Sequence, residues 1–147
     1  MSKFVLIVNF QGGTVDTPME EWKPEEVQAH LNYYRDLNAE LRASGELLET
    51  AVLAGPDVAK IVTSNGKGAP VVTDGPFQEF KEWLAGYQIV DVESEARALE
   101  IAGLISAVPG PNGIPLEQPI QVRELMESSP RTTAEMADWL ETVGGTR

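Results

Sequence analysis

Cysteine is absent from the 147 residues, and histidine occurs once, at position 30. Without thiols the chain cannot form disulfides, a thiolate nucleophile or a zinc–thiolate site, and this composition fits a cytoplasmic protein. One histidine is also too few for the usual transition-metal sites. The sequence has no Walker loop and no dinucleotide-binding glycine fingerprint. We therefore expect neither a metal nor an organic cofactor.

Basic residues are scarce as well. Eleven Lys and Arg stand against 23 Asp and Glu, which gives a formal net charge of −12. Such a surface repels phosphate backbones, and no basic patch with interleaved aromatics is present, so a nucleic-acid partner is not expected. No apolar run approaches the roughly 20 residues that a membrane helix needs, so no membrane association is expected. The apolar residues 4–8 are too few for an export signal and fit a buried strand better.

The pattern of apolar residues predicts the element order β-α-β-β-β-α-β, with one extra hairpin strand beyond a split βαβ arrangement. Pro24 opens the first helix and Gly45 ends it. Ser94 caps the second helix. The strands are predicted at residues 3–9, 46–53, 57–63, 86–92 and 120–125, and residues 70–73 are expected to add one more short strand.

This order indicates an α+β fold in which two main helices cover one face of an antiparallel sheet. The other sheet face then needs a cover, and nothing in the chain obviously supplies one. We therefore expect a homodimer formed through the sheet. Residues 1–126 form the domain, and residues 127–147 form a C-terminal extension. The extension carries a short amphipathic helix at residues 133–142, which is expected to dock on the body or on the partner subunit.

A turn, an aromatic ring and several charged side chains are concentrated at residues 73–87. With Val72 in front, this run reads V-T-D-G-P-F-x-E-x-K-E-x-L-x-G-Y, which resembles the signature of the DGPF-domain branch of the YCII-related superfamily. The similarity extends over about residues 3–125. It implies a ferredoxin-like, dimeric α+β barrel. It also implies an activity that is largely undefined for this branch.

Enzyme-like members of the wider superfamily carry a histidine on the first helix paired to an acid. His30 lies where that histidine would fall, whereas Ala43 and Ser44 occupy the positions of the acid. We propose Asp74 as the substitute, so that His30 acts as general base or acid and Asp74 orients it. The alternatives are a histidine with a structural role and an aspartate that only holds the Asp-Gly-Pro turn.

Four further residues are candidate substrate contacts. Phe77 is expected to anchor its loop in the core. Glu79 and Lys81 belong either to a solvated surface turn or to the cleft, where Lys81 would bind an anionic substrate. Arg123, flanked by Val122 on the last strand, is expected to be partly buried and paired with Glu79 or Asp74.

The sequence and the resemblance together predict two alternative functions. The first is binding of an unknown small molecule, anionic or aromatic, with cofactor-free proton transfer or lyase-type chemistry at His30 and Asp74. The second is a non-catalytic interaction or regulatory module, because DGPF-family proteins often accompany extracytoplasmic-function sigma factors. The acidic surface and the C-terminal helix would suit a basic protein partner.

Overall fold

A computed structural model describes residues 2–9, 17–75, 84–126 and 128–144. The strands are β1 Ser2–Asn9, β2 Leu47–Val52, β3 Lys60–Thr63, β4 Val71–Asp74, β5 Leu84–Val92 and β6 Ile120–Glu124. The helices are α1 Pro24–Ala43, α2 Glu95–Ser106 and α3 Thr133–Trp139. The six strands and the two main helices predicted from the sequence are thus present, with bounds that differ by three residues or fewer.

The main sheet contains four antiparallel strands in the order β2-β5-β1-β6. Two central strands that are distant in sequence, β1 and β5, lie side by side along almost their whole length, and this arrangement is compatible with a ferredoxin-like fold. The extra strands do not join this sheet. Within the described part of the chain, β3 and β4 pair only with each other and form a separate two-stranded sheet.

Both main helices pack on the same face of the sheet. The buried cluster joins alternate residues of β1 and β5 to apolar residues of the helices: Phe4, Leu6, Val90, Val92, Leu37, Leu41, Ala98, Ile101, Ala102 and Ile105. Leu31 and Leu99 recur at helical spacing with other apolar residues of α1 and α2, yet they are about half exposed. Each lies one position, about 100° around its helix, from a buried neighbour, His30 or Ala98.

The ends of α1 are fixed by local hydrogen bonds. Glu26 accepts a hydrogen bond from the backbone N–H of Lys23, the residue before the first turn, at 2.8 Å. At the other end Gly45 adopts φ +81°, and the N–H of Glu46 returns to the carbonyl of Leu41 at 2.9 Å. A glycine suits this position because it adopts positive φ without steric cost. The helix therefore ends where β2 must begin.

Gly86 allows β2 and β5 to approach closely. A Cβ at this position would lie 2.7 Å from the carbonyl oxygen of Ala51 on the neighbouring strand. A side chain at position 86 would therefore push β2 and β5 apart.

An ion pair joins the α1–β2 turn to the start of α2. Arg97 binds Glu46 through two nitrogens, at 2.8 and 3.0 Å, and Glu100 through a third at 3.1 Å. The side chains of Arg97 and Glu46 are 29% and 16% exposed, so water screens them only partly. The two-point geometry is the stronger form of such a pair.

The C-terminal helix is shorter than predicted. α3 ends at Trp139 and continues into a π-helical turn at Leu140–Gly144. Its apolar side chains Met136 and Leu140 are about half exposed. Among the described residues, no helix is long and apolar enough to cross a membrane.

We predict that Glu46→Gln lowers the free energy of unfolding by about 1–3 kcal/mol at pH 7, since it breaks a partly buried charged pair. Hydrogen bonds from Arg97, and then from Ser44, lower the pKa of Glu46 below its usual value of 4.5. The stability due to this shift is complete above that value and is lost as the pH falls through the lowered pKa of the folded state. Urea denaturation of both proteins at pH 7 and at lower pH measures the difference.

The matched control is Asp36→Asn. Asp36 pairs with Arg35 at the helix surface, where both side chains are about 70% exposed. Such a pair contributes about 0–1 kcal/mol, so this substitution should have little effect at either pH. Equal losses in the two variants, or a loss in Glu46→Gln that persists below the pKa of Glu46, would contradict the assignment.

Candidate functional site

His30 lies on the buried side of α1, and only 9% of it is exposed. Two aromatic rings flank its imidazole edge-on. The ring of Trp22 is 5.5 Å away between centroids, and the ring of Tyr34, one helical turn further along α1, is 5.2 Å away. Trp22 is held in turn by its indole N–H, which donates to the carbonyl of Thr17 at 2.9 Å. The single histidine therefore stands in an aromatic setting.

One nitrogen of the imidazole has a fixed partner. Nδ1 of His30 lies 3.0 Å from the carbonyl oxygen of Pro109. A carbonyl oxygen can only accept a hydrogen bond, so Nδ1 must carry the proton. In the neutral ring the other nitrogen, Nε2, then bears the lone pair. This hydrogen bond therefore leaves Nε2 as the acceptor nitrogen of the neutral ring.

The loop that supplies this carbonyl is attached to α1 at a second point. The backbone N–H of Asn112 donates to the carboxylate of Glu26, one turn before His30. This hydrogen bond, followed by the one from Lys23, lowers the pKa of Glu26. Asn112 adopts φ +60°, a left-handed conformation that asparagine tolerates better than most residues. Two side chains in the first two turns of α1, Glu26 and His30, thus hold the loop in place.

The position of His30 relative to the sheet follows from the contacts of α1 with β5. Asn38 accepts a hydrogen bond from the side-chain amide of Gln88 at 2.7 Å. His30 is eight residues earlier on α1, about 12 Å along the helix. Leu84, four residues earlier on β5, is about 14 Å along the strand. The imidazole is therefore near the level at which β5 begins, where Leu84 pairs with Asn9 of β1.

Two tyrosines continue the buried side of α1. The hydroxyl of Tyr33 donates to the carbonyl of Leu104 in α2 at 2.6 Å, which ties the two helices together. Burial, with a smaller contribution from Tyr33, raises the pKa of the Tyr34 phenol. Tyr34 is therefore a neutral hydrogen-bonding group beside His30 at ordinary pH.

The structure does not bring Asp74 to His30. Asp74 ends β4, directly opposite Lys60 in β3, and the two side chains form an ion pair. The side chain of Asp74 is 84% exposed. The residue that orients the imidazole is Pro109, which has no acidic group, so no sequence pattern for a His–acid pair could have revealed it.

Arg123 was expected to be partly buried and paired with an acid. The expectation of burial is wrong. Arg123 is exposed, because alternate residues of β6 face opposite sides of the sheet. Val122 pairs with buried Leu6 on the helix side, whereas Arg123 pairs with Val5 on the open side. Among the described residues Arg123 forms no ion pair. It therefore lies on the other side of the sheet from His30.

The remaining predicted contacts, Phe77, Glu79 and Lys81, lie outside the described residues and stay predictions. Trp22 and Pro109 were not singled out from the sequence as site residues. Trp22 had one usable signal, since it is a large aromatic in an otherwise polar segment just before a helix. Within the described part of the chain, no group of three or more His, Asp or Glu could hold a metal ion.

Comparison with known proteins gives the family. The model of the YCII-related domain matches residues 3–110, and the chain therefore belongs to the YCII-related domain family. The chain is also 36% identical, over 84 residues, to an uncharacterized protein of Rhizobium meliloti (strain 1021). That match covers 55% of this chain and 64% of the relative, so the chain spans less than two thirds of the relative's length.

We predict that neutral His30 exists as the Nδ1–H tautomer. Because His30 is the only histidine, its two ring nitrogens can be assigned without ambiguity in a long-range ¹H–¹⁵N spectrum. Nδ1 should show the chemical shift of a protonated nitrogen and Nε2 that of an unprotonated one, well above neutral pH. The opposite tautomer would show that the hydrogen bond to Pro109 does not control the ring.

We also predict that Asp74→Asn leaves the chemical shifts of the His30 ring unchanged, because the Asp74 carboxylate pairs with Lys60 at the hairpin. The measurement compares the His30 ring signals of both proteins at one pH. Lys60→Gln is the matched control, since it removes the other half of the same ion pair. A change in the His30 ring signals in Asp74→Asn alone would restore the His–Asp pair inferred from the sequence.

Proposed function

We propose that this YCII-related protein binds a small ring-bearing molecule beside His30 and transfers a proton to or from it without a cofactor. The observation that carries the proposal is the 3.0 Å hydrogen bond from the buried Nδ1 of His30 to the carbonyl of Pro109. The same ring contacts Trp22 and Tyr34 edge-on, at 5.5 and 5.2 Å between centroids. Trp22 and Tyr34 supply apolar surface of the kind that lines small-molecule sites.

The chemistry assigned to each group follows from the tautomer. Nε2 accepts the proton as general base, and the ring becomes an imidazolium whose Nδ1–H still donates to Pro109. The carbonyl of Pro109 accepts this hydrogen bond, so Pro109 performs the orienting role that the sequence suggested for Asp74. Tyr34, kept neutral by its raised pKa, donates a hydrogen bond to the bound molecule.

Assignment to the DGPF branch is part of the proposal, and the run from Thr73 to Tyr87 supports it. Phe77, Glu79 and Lys81 belong to this run, and their roles as contacts of the bound molecule are part of the same proposal. Lys81 would pair with an acidic group of the bound molecule, and carboxylates are therefore the first compounds to test.

The test compares the wild type with His30→Asn. Asparagine keeps a side-chain N–H near the position of Nδ1, so the link to Pro109 can survive, but it has no counterpart of Nε2. A panel of small aromatic and aliphatic carboxylates is titrated into the wild type while the His30 ring signals are followed by NMR. We expect compounds that shift these signals to bind at least about tenfold more weakly to His30→Asn, the usual cost of a lost hydrogen bond to a charged group.

The control variant is Gln28→Ala, an exposed change on the same helix. It should bind every compound as the wild type does. Equal affinity of the wild type and His30→Asn for all compounds that bind would contradict the proposed role of Nε2. A panel that leaves the His30 signals unchanged throughout would favour the interaction-module function, with a basic protein partner.

A further inference from the structure

The two carboxylate oxygens of Glu26 have different partners. Oε1 accepts a hydrogen bond from the backbone N–H of Lys23 at 2.8 Å, whereas Oε2 accepts one from the backbone N–H of Asn112. The first contact belongs to the capping box that begins α1, a local arrangement that a Glu in the first helical turn commonly makes. The second contact joins residues 86 positions apart in the chain. Capping of the helix therefore accounts for one oxygen and leaves the other to be explained.

The loop at 108–116, which carries Asn112 at its tip, is braced by its own backbone. The N–H of Leu116 donates to the carbonyl of Val108 at 3.0 Å, and both of these residues are buried. Nearer the tip, the N–H of Gly110 donates to the carbonyl of Ile114 at 2.8 Å. These contacts hold the loop together as one unit, so its tip and its base move together.

α1 contacts this loop at two points that are one helical turn apart. Glu26 holds the tip at Asn112, and His30 holds the base through the carbonyl of Pro109 at 3.0 Å. Residues four positions apart lie on the same side of a helix, about 6 Å from each other along its axis. One hydrogen bond would leave the loop free to pivot, whereas two fix its orientation against the helix. The alignment of the Pro109 carbonyl with Nδ1 of His30 therefore depends on Glu26.

That alignment decides which nitrogen of His30 carries the lone pair. Neutral imidazole has its proton on one nitrogen and its lone pair on the other, and the hydrogen bond made by one nitrogen selects the tautomer. When the carbonyl of Pro109 faces Nδ1, the proton is held there and Nε2 keeps the lone pair. When the carbonyl is displaced, the proton can move to Nε2, which is then unable to act as a base.

The bond between Glu26 and Asn112 is strong enough to hold the tip. A hydrogen bond from a backbone N–H to a carboxylate is roughly twice as strong as one between neutral groups. Asn112 also adopts φ +60°, a left-handed conformation that is uncommon for residues other than glycine. Loss of the carboxylate should therefore free the tip of the loop.

We propose that Glu26 is a positioning residue for His30: through the N–H of Asn112 it aligns the carbonyl of Pro109 and so keeps Nε2 of the neutral imidazole unprotonated. This inference rests on the proposed function, in which Nε2 is the general base, and it names a second side chain on which that base depends. Glu26 acts through the backbone of the loop and not by contact with the bound molecule.

The test follows the two ring nitrogens of His30 in the full chain, without any added compound, by a long-range ¹H–¹⁵N spectrum well above neutral pH. Glu26→Ala removes the acceptor of the Asn112 N–H. We expect the ratio of the Nδ1–H to the Nε2–H tautomer to fall by about two- to tenfold, the range that corresponds to one hydrogen bond. Glu26→Asp should give a fall in the same range, because it keeps the charge but is one methylene shorter and loses its reach to the loop.

The matched control is Glu25→Ala. Glu25 is exposed in the same turn of α1 and forms no ion pair with any residue that the structure describes. This variant removes the same charge from the start of the helix and should leave the tautomer ratio unchanged. An effect of charge on the helix would instead appear in Glu25→Ala and be absent from Glu26→Asp, and that result would reject the proposal. Circular dichroism confirms that each variant is folded.

Two further results would overturn the proposal. The first is a wild type whose His30 carries its proton on Nε2, and the second is a tautomer ratio that stays at the wild-type value in both Glu26 variants. Failure of the proposed function is a separate outcome, because these spectra contain no ligand. A tautomer shift in the Glu26 variants with a panel of compounds that never binds would keep the positioning role and reject the proposed function. An unchanged ratio with binding that is lost in His30→Asn would do the reverse.

Discussion

The pairing of β1 with β5 is the constraint on which the rest of the structure depends. Ser2 faces Val92 at one end and Asn9 faces Leu84 at the other, so two segments more than 70 residues apart are fixed along eight residues. This register sends Phe4, Leu6, Val90 and Val92 into the helix-covered core. It sends the residues between them to the open face. Because side chains alternate strictly, a shift of one residue would exchange the two faces.

The candidate site depends on that register indirectly, through the contacts that position α1. α1 is positioned against β5 by Gln88 and Asn38 and against α2 by Tyr33. These contacts set the height of His30 above the sheet and bring it to Pro109, which is 79 residues away in sequence. A helix histidine becomes a candidate base here only because the loop after α2 supplies a carbonyl at that point.

The sequence predicted the elements well because each has a local signal. Pro24 and Gly45 bound α1, Ser94 caps α2, and alternating or continuous apolar residues mark the strands. The buried faces of the helices were predicted less well, since Leu31 and Leu99 are apolar yet lie one residue off the packed stripe. Periodicity alone does not distinguish an apolar residue at the edge of that stripe from one at its centre.

The candidate site was predicted only in part, and for a physical reason. His30 could be singled out because it is the only histidine, but its partner is a backbone carbonyl, which every residue possesses. Asp74 was paired with His30 on chemical grounds, whereas the register of β3 and β4 places it opposite Lys60. The burial of Arg123 was misjudged because Val122, its apolar neighbour, was taken to indicate a buried strand and not one face of it. Contacts that join distant parts of the chain leave no local pattern.

The two faces of β5 separate two properties that must coexist in one small sheet. Gln88 and Val90 face the helices and support the site, while Tyr87 and Ile89 face outward beside Glu49 and Val5. Because the side chains of a strand alternate between the two faces of a sheet, the open face and the helix-covered site are formed by different residues of β5.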